Sequence, residues 1–153
     1  VQYGYQPSDE VHKERLPLKP ILDWKAKIVL VKTISKGTPV SYGNTFVAEK
    51  DTVIGTIPLG YADGYSRSLS SKGSVIYKGK LCPIVGRVCM DQMMVDLSGV
   101  ENPTEGDTVI LLGKDGDVKY DGDDMAKTIN TISYEITCDI GKRVPRRYTD
   151  KEA

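Results

Sequence analysis

Ser74-Val-Ile-Tyr-Lys-Gly-Lys-Leu-Cys-Pro-Ile-Val85 sets two short apolar runs on either side of Lys78-Gly79-Lys80, and it reads as strand, turn, strand. The same reading extends both ways. Upstream, Ile21 to Ile34 reads as one strand, in which Trp24, Ala26, Ile28 and Leu30 alternate with Lys25, Lys27, Val29 and Val31. Lys36-Gly37-Thr38-Pro39 is a turn, and Phe46–Ala48, then Glu49-Lys50-Asp51, then Thr52–Leu59 read as a hairpin. Downstream, Met93–Leu97 and Thr108–Leu112 are strands. Asp115-Gly116 marks a hairpin before Val118–Tyr120, and a short strand is expected near Val144–Tyr148. Only residues 121–138 break the pattern. Asp121 can cap a helix with Asp124 at its third position, and Met125, Ile129 and Ile132 fall on one face. Many short strands with close turns indicate a barrel or a sandwich. The expectation is a mainly β domain, a closed Greek-key-type β-barrel with two short helices near residues 121–138.

The chain has 153 residues, with 21 Lys+Arg balanced by 21 Asp+Glu. A domain of that length buries about 70% of its unfolded surface and needs no metal or disulfide staple. Zero net charge argues against a nucleic-acid binder, which needs a clustered excess of cations. No apolar run approaches the ~20 residues of a membrane-spanning helix. Residues 1–20 are polar, carry Pro7, Pro17 and Pro20, and read as an N-terminal linker, which leaves 21–153 as one β-domain. The chain starts at Val1 with neither an initiator Met nor a signal-peptide pattern, so a segment of a longer protein is expected.

Cys82, Cys89 and Cys138 form no C-x-x-C pair, and their odd count makes a disulfide framework improbable; a reduced, cytoplasmic setting is expected. Cys82 and Cys138 read as small hydrophobes. His12 is the single histidine and lies in the polar tail, which disfavours both a histidine metal cluster and a Ser-His-Asp triad. Asp115-Gly116-Asp117 and Asp121-Gly122-Asp123-Asp124 lack the spacing of a calcium loop, so no metal is expected. Two features remain. Gly60–Ser71 is a long loop of the kind that carries function, and nine Tyr stand beside one Phe and one Trp.

Tyrosine and glycine gather in three strings: Val40-Ser-Tyr-Gly-Asn-Thr-Phe46, Leu59-Gly-Tyr-Ala-Asp-Gly-Tyr65 and Val85-Gly-Arg-Val-Cys-Met-Asp-Gln92. With Thr131-Ile-Ser-Tyr-Glu-Ile-Thr-Cys138 and Arg143-Val-Pro-Arg146, the chain resembles, from about Lys19 to Tyr148, the C-terminal domain of the pyridoxal-phosphate-dependent alanine racemase family. The resemblance implies roles. Tyr42 matches the family's catalytic tyrosine, the base on one face of the substrate. Tyr61 matches a tyrosine at the inner substrate entrance. Met90 and Asp91 match the pair beside the substrate carboxylate, with the Met90 N–H as donor. Arg67 and Arg87 match arginines farther out along the access corridor. Tyr134 matches a tyrosine that hydrogen-bonds the cofactor phosphate. The resemblance also implies an N-terminal (β/α)₈ barrel carrying the cofactor lysine, and a head-to-tail homodimer in which Tyr42, Tyr61 and Met90 reach into the partner's barrel while Tyr134 serves its own. L/D-alanine is the implied substrate. A serine racemase of the vancomycin-resistance type and a non-catalytic oligomerisation module on the same scaffold are the alternatives. Related basic amino-acid decarboxylases are disfavoured by the intact Gly-Tyr-Ala-Asp-Gly and Cys-Met-Asp-Gln strings.

Racemisation removes the α-proton from one face and returns a proton to the other, so it needs two bases and an electron sink that side chains do not provide. An ordinary tyrosine, with pKa near ~10, is about one-thousandth ionised at neutral pH, and making one a base takes about 4 kcal/mol of preferential phenolate stabilisation. Arg87 is a candidate contributor. No lysine here sits in the family's cofactor-lysine motif, so the chain alone is expected not to racemise anything.

Overall fold

The run expected as one strand is two: β1 (Trp24–Lys27) and β2 (Leu30–Ile34). They meet where the chain changes partner. Ile28 N–H donates to the Asp107 carbonyl and Val29 N–H to the Thr56 carbonyl, both at 2.9 Å. The first half therefore lies along β9 (Thr108–Asp115) and the second along β5 (Thr52–Ile57). The side-chain phase slips at the same point: Trp24 and Ile28 are buried, whereas Leu30 is exposed. These features belong to a computed structural model that describes residues 3–5 and 18–149. His12 and most of the expected linker lie outside the described residues.

Adding β6 (Ser74–Tyr77), β7 (Lys80–Val85) and β8 (Met93–Asp96) gives an antiparallel sheet in the order β1-β9-β6-β7-β8-β5-β2, with β10 (Val118–Tyr120) paired to β9. The Ser74–Val85 hairpin forms as expected, with Tyr77 opposite Lys80. The hydrogen-bonded path is open. Its two ends, β1 and β2, are consecutive halves of one run joined through Ile28 and Val29, with no reversal that would bring them side by side into a closing ladder. The expected closed Greek-key-type barrel is thus corrected to an open sheet whose ends are tied by the chain itself. Trp24, Ile57, Val75, Ile84, Val95 and Val109, from six different strands, share one buried core.

The expected hairpin between Phe46–Ala48 and Thr52–Leu59 does not form. β3 (Pro39–Val40) and β4 (Phe46–Val47) pair with each other as a separate ribbon, and β5 pairs with β2 and β8. Val40, Ala48, Ile34, Ile54 and Val85 form a second small core that seats this ribbon on the sheet. The ribbon's tip is Ser41–Thr45.

The helices fall where expected: α1 (Gly122–Ile129) and α2 (Ser133–Asp139). Asp121 caps α1. Its Oδ1 accepts from Asp123 N–H (3.0 Å) and Asp124 N–H (3.1 Å), while Asp124 Oδ2 accepts from Asp121 N–H (2.9 Å). Met125 is buried, but Ile132 does not continue its face. Asn130 in the left-handed region ends α1, and Ile132, 64% exposed, sits between the helices. No strand forms at Val144–Tyr148. Pro145 has no N–H to donate, and the Arg146 guanidinium folds the segment back by donating to the carbonyls of Ile140 (2.7 Å), Gly141 (2.5 Å) and Val144 (2.7 Å). Cys82 is buried, and burial pushes its thiol up to about 11. Cys138 is exposed, against its reading as a small hydrophobe.

Candidate active site

The backbone of Gly86–Gln92 is the hub on which three loops converge. On one side, Ser41 Oγ donates to the Arg87 carbonyl and accepts from Arg87 N–H, both at 3.0 Å. On another, Ser71 Oγ accepts from Gly86 N–H (3.1 Å) and Ser70 Oγ from Val88 N–H (3.0 Å), which anchors the short 3₁₀ turn Arg67–Leu69. From the third, Tyr61 N–H donates to Cys89 O and Ala62 N–H to Met90 O, each at 3.0 Å. The approach is close enough that a Cβ at Gly60 would run into the Cys89 carbonyl oxygen. The three strings that stood out in the sequence are therefore one spatial unit.

Ser41 fixes how Tyr42 is presented. Its φ of 69° and ψ of 174° fall in a region populated almost solely by glycine, at a cost of about 1–3 kcal/mol. The paired hydrogen bonds to Arg87 offset that cost. Gly86, at φ 76°, leaves the room this needs, since a Cβ there would come within 2.5 Å of Ser41 Cβ. The outcome is a tight turn, Tyr42–Asn44, with Gly43 and Asn44 both at positive φ, from which the Tyr42 side chain stands 73% exposed.

An open cleft of about 430 Å³ lies over the hub, lined by Tyr42, Tyr61, Arg67, Arg87, Met90 and Asp91, with Val88, Cys89 and Gln92. Six of the seven residues singled out in the sequence are thus together. Two arginines against one carboxylate make its charge positive, which suits an anionic ligand. The Arg87 guanidinium lies beside the residue after Tyr42: a Cβ at Gly43 would be 3.7 Å from its Nε. Among the described residues, the Met90 N–H meets no hydrogen-bond acceptor. The seventh residue, Tyr134, is elsewhere, on α2. Its hydroxyl donates to the Tyr5 carbonyl at 3.5 Å, and the two rings meet edge to face at 6.3 Å. A second groove, of about 250 Å³ over β2 and β3, holds Lys32 and none of the seven.

Two residues without an assigned role prove central. Ser41 was visible only as part of the Ser-Tyr-Gly string. Arg143 was visible only as part of Arg143-Val-Pro-Arg146, yet its Nη2 donates to Asp91 Oδ1 at 2.7 Å while its Nε lies 3.4 Å from Asp63 Oδ1. The hydrogen bond to Asp91 and the charge of Asp63 raise its pKa above the ordinary arginine range.

No lysine lines the cleft, and no cluster of His, Cys, Asp and Glu suited to a metal occurs among the described residues. The cleft lining has no amine that could attach pyridoxal phosphate, the cofactor that the sequence resemblance implies.

The fold and the cleft define a β-domain that brings tyrosine, arginine and a backbone donor together in one positive cleft. The chain belongs to the alanine racemase family: the family model described as "Alanine racemase, C-terminal domain" matches residues 21–148. It is similar to the alanine racemase of Clostridium perfringens (strain SM101 / Type A), 52% identical over 148 residues that make up 97% of this chain and 38% of the relative. Among solved structures, the alanine racemase from E. faecalis superposes with a TM-score of 0.89 at 40% identity, over 96% of this chain and 39% of that one. The alanine racemase from Streptomyces coelicolor A3(2) superposes at 0.90 with 39% identity, over 97% and 39%. The chain spans 38% of the length of the first of these relatives.

Proposed function

We propose that this domain completes the active site of a pyridoxal-phosphate-dependent racemase interconverting L- and D-alanine, supplying one of its two bases. The observation that carries this reading is the gathering of Tyr42, Tyr61, Arg67, Arg87, Met90 and Asp91 around one positive cleft with no lysine in it. In this reading the chain supplies half of a two-base site, and the other half comes from another domain.

Pyridoxal phosphate, when bound, supplies the electron sink that stabilises the α-carbanion. This chain's residues do the rest of what falls to them. The Tyr42 hydroxyl removes or returns the α-proton on one face, and Arg87 lines the same cleft. The Met90 N–H donates to the substrate carboxylate, Asp91 orients that end of the cleft, and Tyr61 narrows the inner entrance. Arg67 and Arg87 draw the anionic end of the substrate inward. The Tyr134 hydroxyl, turned from the Tyr5 carbonyl, would hold the cofactor phosphate of its own subunit. Tyr42, Tyr61 and Met90, all exposed, are surface for the barrel of a partner subunit in a homodimer, in a cytoplasmic setting in this reading. The isolated chain is inactive in this reading. Serine in place of alanine remains the second reading for the substrate, favoured by no residue in the cleft.

The test is the full-length parent protein with pyridoxal phosphate and L-alanine. D-alanine should form, Tyr42→Phe should lower kcat by about 10²–10⁴-fold, the range for loss of a general base, and the rate on alanine should exceed that on serine. Near-normal turnover by Tyr42→Phe sinks the assignment.

A further inference from the structure

We infer that Arg143 is a positioning residue that keeps the Met90 end of the cleft receptive to a carboxylate, by holding and neutralising Asp91; the inference deepens, and rests on, the reading of the cleft as an amino-acid site. One guanidinium spans two loops. Its Nη2 donates to Asp91 Oδ1 at 2.7 Å, and its Nε faces Asp63 Oδ1 at 3.4 Å. Asp63 is itself committed, since its Oδ2 accepts from Gly60 N–H at 3.0 Å, and its side chain is only 13% exposed. Asp91 lines the cleft next to Met90, and Arg143, which binds it, is not among the lining residues. A substrate carboxylate approaching the Met90 N–H therefore meets Asp91 at close range. With Arg143 in place that carboxylate is paired and turned toward the guanidinium. Without it, two like charges face each other at the point of binding.

A purely mechanical role for Arg143 is unnecessary. The two loops are already joined by the Tyr61 N–H to Cys89 O and Ala62 N–H to Met90 O bonds, and Gly141 N–H donates to Asp63 O at 2.8 Å. What those bonds do not provide is charge. Arg146 supports the presentation of Arg143, because its three carbonyl contacts fold residues 140–146 back on themselves. Both Arg143 and Asp91 are more than half exposed, so their pairing contributes little to stability, and removing the charge leaves the fold in place.

The experiment uses the full-length parent protein as wild type, Arg143→Met and Arg143→Lys, all checked for unchanged thermal unfolding. Repulsion of this kind should raise the KM for L-alanine about tenfold in Arg143→Met at low salt, with kcat within about threefold, and the defect should shrink in 0.5 M NaCl. Arg143→Lys, which keeps the charge, should stay within about threefold of wild type. The dissociation constant for acetate, a carboxylate with no α-proton to exchange, should rise in parallel in Arg143→Met. A salt-independent defect, an equal defect in Arg143→Lys, or unchanged acetate affinity overturns the inference. A parent protein whose acetate affinity depends on Arg143 but which does not racemise alanine supports the inference and removes the proposed function instead.

Discussion

Ser41 and Arg87, 46 residues apart in sequence, bind each other in both directions through a single hydroxyl: Ser41 Oγ donates to Arg87 O and accepts from Arg87 N–H, each at 3.0 Å. This links the turn that presents Tyr42 to the strand end that presents Arg87, so the proposed base and the cation beside it move as one unit. The link is made from a backbone conformation that serine rarely adopts, with φ 69° and ψ 174°. Strain and hydrogen bonding thus oppose each other at one residue, and substitutions can separate them.

Ser41→Ala removes both bonds and leaves the strain, with an expected loss of about 1–3 kcal/mol from the unpaired Arg87 groups. Ser41→Gly removes the same bonds but relieves the backbone, so it should be about 1 kcal/mol less destabilised than Ser41→Ala. Urea midpoints at unchanged m-value measure the order wild type, Gly, Ala. An alanine variant at least as stable as the glycine one would show that the backbone at Ser41 carries no strain.

Gly86→Ala attacks the same link from the other side. Its φ of 76° disfavours any side chain, and the added Cβ would stand 2.5 Å from Ser41 Cβ. A destabilisation of about 2–3 kcal/mol is expected. In the full-length protein kcat should fall more than the affinity for substrate, because the tyrosine turn is displaced while the Met90 N–H is not. Equal losses in both would mean that the whole hub moves.

Asp121 provides a pH-dependent contribution to stability. Burial pushes its pKa upward, but the hydrogen-bonded Lys119 cation at 2.5 Å and the helix N–H groups outweigh burial and hold it below the ordinary carboxylate value. A carboxyl depressed in the folded state stabilises fully above its unfolded pKa, near ~3.9, and loses that contribution as the pH falls through the folded value. Asp121→Ala should cost about 1–2 kcal/mol at pH 7, with the gap to wild type closing below about pH 4. Asp121→Asn keeps a cap acceptor and should lose less. Denaturant midpoints from pH 7 to pH 2.5 follow both, and a gap that stays constant over that range counts against the charged cap.

Which features were legible in the sequence follows from the range of the interactions. The Ser74–Val85 hairpin and the Asp121 cap are decided by residues two to four apart, and both form as read. The handover at Ile28–Val29 is decided by Asp107 and Thr56, distant partners that leave no local mark, so one strand was read for two and a closed barrel for an open sheet. The hairpin read between Phe46–Ala48 and Thr52–Leu59 gives way to pairing of Phe46–Val47 with Pro39–Val40, because Val40 and Ala48 are buried against Ile34 and Ile54. At the site, the six singled-out residues that line the cleft are picked out by their strings. Ser41 and Arg143 were missed because their importance lies in what they hold, and that appears only when residues 46 and 52 positions apart meet.

Tyr5 connects the start of the chain to the helix pair, and it should register at alkaline pH. Its ring is 2% exposed and meets the Tyr134 ring edge to face, and a Cβ at Gly122 would lie 2.7 Å from its hydroxyl. Burial, with the nearby Asp121 charge, raises its pKa to about 12. For an acid whose folded pKa is raised, the stabilising contribution is complete below the unfolded value, near ~10 for tyrosine, and is lost as the pH climbs through the folded one. The protein should therefore lose stability between about pH 10 and 12. Tyr65 and Tyr120, both raised by burial, contribute to the same loss, so Tyr5→Phe should reduce its slope without abolishing it. Phenylalanine keeps the edge-to-face contact, so near pH 7 the variant should unfold within about 1 kcal/mol of wild type. Unfolding midpoints at pH 7, 9 and 11 make the comparison. If wild type and Tyr5→Phe decline in parallel through that range, the Tyr5 hydroxyl is not buried against α1.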